Sequence, residues 1–480
     1  MTTSTQTVHF HGGAPVSAIP MIFFIVWAIF ICLSGAPDVR GLILGLILGL
    51  SIALFLVKGR WYSYCEEIFT GMANRIGVVT IVCWLWAGMF AQVLRAGGLV
   101  DGLVWLGVQS GVGSAMFTAL TFLLAAVFST AVGTGYGTTV AFCTLMFPTG
   151  VVLGADPVVL FGAILSGAAF GDKLAPVSDT TIVSATTQET DIPGVVRNRF
   201  KYAITAAIPA LILFIILGRN DGGNGIELAL STDAAEPIGL LLLIPFALVI
   251  FLAMTGHHII TALTLGLVLA SIMIPIFGLG PFSSVMGIDR DAGLMTGALT
   301  EGIGGYVEMA VLVLLIMSAN HIMKIGGAFD MIKRAALSFV KDSVRRAELV
   351  ICSVVASLNV FITVNTAAEI AAAPFVSDIG KTFKLHPYRR ANFLDSITSA
   401  LGYIFPWGGG VLIGYVTLKS MADTTFPNLP VISPTDVWPY VFHGWLLLVV
   451  MFGAAYTGLG RKFQEEAPEP KSNDLKDGSS

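Results

Sequence analysis

Apolar runs of roughly the 20 residues needed to cross a bilayer as a helix recur from one end of the chain to the other, parted by short polar stretches. They predict spans near 18–34, 38–57, 74–95, 200–218, 236–254, 257–277, 303–323 and 439–459. After the second, "KGRWYSYCEEIFTGMANR" sets aromatics beside charges and reads as interfacial. Two longer stretches depart from the pattern. Residues 114–153 are apolar at both ends and interrupted by "STAVGTGYGTT". Each half has about 14 residues, or about 20 Å, too short for a ~30 Å hydrocarbon core. This predicts a re-entrant hairpin with its tip at Ser129–Thr139. A second hairpin is expected at 346–383, tip Asn359–Glu369. Each is followed by a helix with a break in it: 156–190, broken at "FGDKLAPVSDTT", and 389–420, broken at "FPWGGG".

The two halves echo one another. "RAGGLVDGL" at Arg95 matches "KIGGAFDMI" at Lys324, and Pro157, Ser166 and Pro176 align with Pro387, Ser396 and Pro406. Each unit, 18–218 and 236–459, then has five spans including its broken helix, plus a hairpin that returns to its own side. Five is odd, so the second unit should enter the membrane upside down. The expected fold is an all-α polytopic membrane protein of two inverted-topology repeats. Such repeats with broken helices mark secondary transporters.

Composition agrees: 55% of the residues are hydrophobic and 12% charged, where a soluble domain carries about 25%. No basic residue precedes the first apolar run and no A-x-A site follows it, so no cleavable signal is expected. Cys32, Cys65, Cys83, Cys143 and Cys352 form no CxxC and read as small buried hydrophobes. With the N-terminal segment 1–17 in the cytoplasm, twenty of the 26 Lys and Arg fall inside, Arg199 among them, and five outside. That positive-inside bias puts both termini in the cytoplasm of a cytoplasmic membrane. The polar tail 460–480 reads as disordered. The lipid bilayer is the expected surrounding, and no nucleic-acid partner is expected.

Charge is costly at membrane depth and is kept there mainly for function. "FGDKLAPVSDTT" carries Asp172, Lys173 and Asp179. Pro176 and Gly171 disfavour helix there, so backbone carbonyls should be freed. With Ser178, Asp179 and Thr180 they form a set of hard oxygen ligands suited to Na⁺ as coupling ion or substrate, with no other cofactor. Asp179 can also titrate, which would let one group trade a proton for a cation. Lys173 compensates Asp172 or Asp179, contacts an anionic substrate, or merely holds the break together. At the first tip Ser129, Thr130, Thr134 and Thr138 offer hydroxyls, or serve close helix packing. The second tip offers Asn359, Asn365 and Thr366, with Glu369 as a proton or cation candidate or a cap. Trp407 lines a substrate pocket or packs, and Gly408 opens the second break. Asp395 serves a site or pairs with Arg389 or Arg390, and His257 and His258 read as interfacial.

"GDKLAPVSDTT" resembles the "GDKxSPxSDTT" hallmark of the NhaC family of Na⁺/H⁺ antiporters, "GTGYGTT" its Gly/Thr-rich hairpin and "PWGGG" its later Pro-Trp-Asn segment. The likeness runs from about 70 to 420. It implies Na⁺/H⁺ antiport, a homodimer, and an elevator-like shift of a transport domain formed by 114–190 and 346–420 against a scaffold of the other spans. Ala175 stands where the family often has Ser, Gly408 where it has Asn, and "VNTAAEI" differs from the common second tip. The family also includes exchangers of organic anions. A Na⁺-coupled carrier of a small organic anion or amino acid is therefore the alternative, its solute held by Trp407 and Gly408–Gly410. An intramembrane protease is disfavoured: Gly171-Asp172 has no Tyr-Asp partner, and no HExxH occurs. A passive channel is disfavoured by the paired hairpins and broken helices.

Overall fold

The computed structural model describes residues 8–34, 39–176, 178–219, 236–255, 257–291, 293–304, 307–340 and 343–464. The disordered tail expected after Arg461 lies outside them from 465 onward, as do residues 1–7 of the N-terminal segment.

The chain is mostly helical. Among the described residues, six helices are long and apolar enough to cross a bilayer: 14–31, 77–96, 114–132, 192–217, 259–276 and 298–325. Five coincide with expected spans. Val39–Phe55, at 17 residues, is shorter, and the last span bends by 54° between 434–440 and 442–457. Aliphatic side chains such as Val26, Ile212, Ile216 and Ile276 are exposed along these helices. Gly135–Val152, Pro157–Asp172 and Gly409–Thr424 are instead buried on almost every side. Helices apolar all round need partners all round, which places these at the centre.

The first hairpin has longer arms than expected. Ser114–Val132 and Gly135–Val152 hold 19 and 18 residues, about 28 Å each. The tip does not unwind over Ser129–Thr139. Thr130 Oγ1 donates to the Ala126 carbonyl at 2.7 Å, and Thr138 Oγ1 to that of Thr134 at 2.8 Å, so both hydroxyls are absorbed by the helices. Only Gly133 and Thr134 form the turn, with Thr134 capping the second arm through the Gly137 amide. The arm length alone therefore does not make this segment re-entrant. The second hairpin, Val344–Ile362 and Asn365–Thr382, turns at Thr363–Val364.

The order of elements recurs in the second half. Pro157–Asp172 starts behind an Asp156 cap and Pro387–Leu401 behind a His386 cap, and breaks follow at 173–178 and 402–408. Short bridges pair Ala155 with Arg219 and Leu385 with Phe463, each joining the entry of a broken helix to the chain leaving the helix that closes its unit. Two departures stand out. A two-stranded ladder, Gly287–Asp289 with Leu294–Thr296, interrupts the expected all-α fold, its two three-residue extended segments joined by a turn that holds Gly293 at φ 67°. The helix expected at 200–218 starts at Ile192, capped by Asp191. Arg197, Arg199 and Lys201 thus lie on a helix, and its periodicity turns Arg199 fully into the core instead of to the cytoplasm.

Each hairpin's outer arm ends in a left-handed residue, Gly133 at φ 75° and Thr363 at φ 59°. A β-branched residue is strained there, and the Thr363 hydroxyl is buried without a partner. Thr363→Gly is expected to stabilise the protein by about 1 kcal/mol, read as a raised unfolding midpoint in detergent. An unchanged or lower midpoint would show the strain to be compensated.

Candidate functional site

Pro387–Leu401 is the most polar of the central helices, yet Arg389, Arg390, Asn392, Asp395, Ser396, Thr398 and Ser399 are all buried. Buried polar groups need partners, and these organise the space around both breaks.

A cavity of about 570 Å³ lies where the first break meets both hairpin tips. Thr134 and Tyr136 of the first tip, Asp172, Ser178, Asp179 and Thr180 of the break, and Asn365 and Thr366 of the second tip all line it. Ser178 Oγ donates to Asp172 Oδ1 at 2.8 Å and lies 3.0 Å from Thr180 Oγ1, while Tyr403 OH reaches Asp172 Oδ2 at 3.5 Å. The Ser178 and Tyr403 hydroxyls thus both face Asp172, and Thr180 reaches it only through Ser178. Asp179, first residue of the short helix Asp179–Thr187, is exposed on the cavity wall, with His257 and His258 on the same wall. Tyr136 OH and both side-chain polar atoms of Asn365 are buried without a partner beside this space. Gly171 permits the break's position, because a side chain there would strike Ala126, Ser129 and Thr130 of the first arm.

The other expected residues sit off the cavity. Ser129 donates to the Ala168 carbonyl at 2.8 Å, binding the hairpin to the broken helix. Lys173 is fully buried, its Nζ 2.9 Å from His443 Nε2. Its carbonyl, one of those the break frees, accepts from Arg199 Nη1 at 2.6 Å. Arg199 also donates to Ser184 at 3.0 Å and pairs with Asp395, so Asp395 bonds neither Arg389 nor Arg390. Arg389 instead pairs with buried Glu348 at 3.0 Å, which Arg461 also holds at 2.7 Å. Glu369 is fully buried rather than capping; Thr398 Oγ1 donates to its Oε1 at 2.9 Å and Oε2 has no partner. Asn359 is buried with both side-chain polar atoms unpartnered. Trp407 stacks on Phe405 at 5.0 Å and donates to the Val360 carbonyl at 3.0 Å, taking the packing role. Gly408 caps Gly409–Thr424, and a side chain on it would meet the Gly402 carbonyl.

Sequence reasoning missed Tyr136, Arg199, Tyr403 and His443. Tyr136 had a signal, an aromatic alone among the small residues of "GTGYGTT". Arg199, Tyr403 and His443 act over separations of 26 to 270 residues, which no local pattern records.

The profile of the Na⁺/H⁺ antiporter family matches residues 5–219 and 227–445. The malate-2H⁺/Na⁺-lactate antiporter of Bacillus subtilis is 28% identical over 60% of the chain and 65% of its own length, just short of two thirds. The arginine/ornithine antiporter ArcD of Halobacterium salinarum is 25% identical over 89% and 90%, and the Na⁺/H⁺ antiporter NhaC of Alkalihalophilus pseudofirmus 23% over 84% and 87%. Among solved structures, the YdaH transporter of Alcanivorax borkumensis aligns over 82% of this chain and 87% of that one, at 13% identity and a TM-score of 0.43. A profile match over nearly the whole chain, together with the apolar helices, identifies a multi-pass membrane protein of a transporter rather than an enzyme class: the chain belongs to the Na⁺/H⁺ antiporter family.

Proposed function

We propose that the chain exchanges Na⁺ for H⁺ across the cytoplasmic membrane, with Na⁺ bound at the first break. The cavity shared by the break and both hairpin tips carries this reading, because it sets Asp172, Ser178, Asp179 and Thr180 on one wall. Carboxylate and hydroxyl oxygens suit a hard cation. A carboxylate that loses its proton to accept Na⁺ makes the two ions compete, which is antiport in its simplest form. Residues 114–190 and 346–420 form the moving unit in this reading, and the other spans a scaffold. The units are inverted, both termini are cytoplasmic, and the protein works as a homodimer. Alternating access is elevator-like.

A second reading adds an organic solute. About 570 Å³ is far more than one Na⁺ occupies and within the usual range of small-molecule sites. One relative is named for malate and lactate, another for arginine and ornithine. The wall favours an amine-bearing solute over an organic anion: it holds Asp172 and Asp179 and, among the described residues, no Lys or Arg.

Proteoliposomes with an internal pH dye test both. Wild type should alkalinise or acidify the lumen in response to Na⁺ gradients with no organic solute present. Asp179→Asn should weaken the apparent Na⁺ affinity by roughly tenfold, the worth of one contact to a charged group. Na⁺-independent flux in wild type would sink the first reading. Na⁺-driven uptake of labelled arginine or ornithine, but not malate or lactate, would establish the second.

A further inference from the structure

A second cavity, about 900 Å³, lies apart from the one just described. It lies between the end of Val307–Ile325, the helix Ala328–Val340 and the second hairpin's inner arm, Asn365–Thr382. One rim is basic: Lys324, Lys333 and Arg334 against Asp330, the one carboxylate among the described lining residues, 4.0 Å from Lys333. The opposite wall is apolar, with Ile362, Ile370 and Pro374 from the hairpin. Ile370 is itself 43% exposed, so this wall continues onto the protein's outer surface. Ala328–Val340 is strongly amphipathic and leaves Leu337 and Phe339 exposed beside its basic residues, the make-up of a helix lying in the membrane interface. Deeper in, Asn320 is 5% exposed; its Nδ2 donates to the Ile362 carbonyl at 3.0 Å while Oδ1 has no partner.

A soluble anion would use the basic rim and leave the apolar wall wet. A glycerophospholipid with a net negative headgroup uses both. We propose that this cavity binds such a lipid, its phosphate held by Lys324, Lys333 and Arg334 and an acyl chain laid along Ile370 and Pro374. The bound lipid touches both Ala328–Val340 and the second hairpin, so it bridges two elements that the transport reading assigns to different bodies. The site itself does not depend on that reading.

Native mass spectrometry of the full chain, titrated with phosphatidylglycerol, phosphatidylcholine or inorganic phosphate, tests it without measuring transport. Phosphatidylglycerol should bind wild type in preference to phosphatidylcholine and raise the unfolding midpoint, and inorganic phosphate should do neither. Removing one basic residue should weaken phosphatidylglycerol binding about fivefold, and K333Q/R334Q together about 25-fold. Equal binding of the two lipids to wild type would overturn the proposal even if the variants failed to fold. So would stabilisation by inorganic phosphate alone, or wild-type phosphatidylglycerol binding by K333Q/R334Q.

Discussion

Arg199→Met is expected to destabilise the protein by about 3–5 kcal/mol, the cost of leaving a buried charge without its partner. Arg199 grips both broken helices. It donates to the Lys173 carbonyl at 2.6 Å and to Ser184 at 3.0 Å beyond the first break, and pairs with Asp395 in the helix before the second. Methionine keeps the volume and removes these contacts, together with those to Thr181 at 3.2 Å and Asn392 at 3.4 Å. Asp395 would keep the Ser399 hydroxyl at 2.6 Å, and the Lys173 carbonyl Thr181 at 3.4 Å, but neither would have a cation. Arg199→Lys should recover part of the loss, since one ammonium cannot span the positions a guanidinium fork reaches. Arg199→Met/Asp395→Leu should recover more, because it removes both charges at once. Unfolding midpoints of the two single variants and the double variant close a cycle that isolates the pair. Additive losses, with no coupling between positions 199 and 395, would show that the pair does not join the helices.

The same residue marks where the sequence stops being informative. Span after span was legible, because a bilayer demands long apolar helices and the chain has little charge to hide them. Both breaks were legible from Pro176 and from Pro406 with its glycines, since each removes helix propensity where apolar sequence would otherwise continue. The part of the site that lies along one stretch was legible too: Asp172, Ser178, Asp179 and Thr180 line one cavity. The partners that complete it were not. Arg199 reads as one more basic residue at a helix end, and only the earlier start of that helix turns it inward. Tyr403 reaches Asp172 from the far half of the chain, and His443 meets Lys173 from the last helix. The tip hydroxyls read either way from the sequence. Thr130 and Thr138 carry no visible sign that their own helices will absorb them. Trp407 read equally as a pocket wall or as packing, and it stacks on the adjacent Phe405.

Asp172→Asn should separate the two carboxylates of the first break. Asp172 is buried and accepts from Ser178 at 2.8 Å, and Tyr403 lies 3.5 Å from its other oxygen. Asparagine keeps one acceptor for Ser178 and fills the same space, so unfolding midpoints should stay near wild type. Exchange should not survive. The substitution removes both the negative charge that draws Na⁺ and the group that gives up a proton to make room for it. Apparent Na⁺ affinity should fall by roughly 10–100-fold, the range for losing one interaction with a charged group, and Na⁺-driven proton flux should drop to that of protein-free liposomes. Asp179 is more exposed and takes neither the Ser178 nor the Tyr403 hydroxyl, so its amide variant should shift affinity while leaving flux at saturating Na⁺. The contrast has a physical root: a charge deeper in the protein is less screened, and exchanging its proton for a cation moves more free energy than the same exchange at the cavity wall. If Asp172→Asn still coupled Na⁺ to protons while Asp179→Asn did not, the coupling would belong to Asp179, and the hydroxyls around Asp172 would serve only to hold the break in shape.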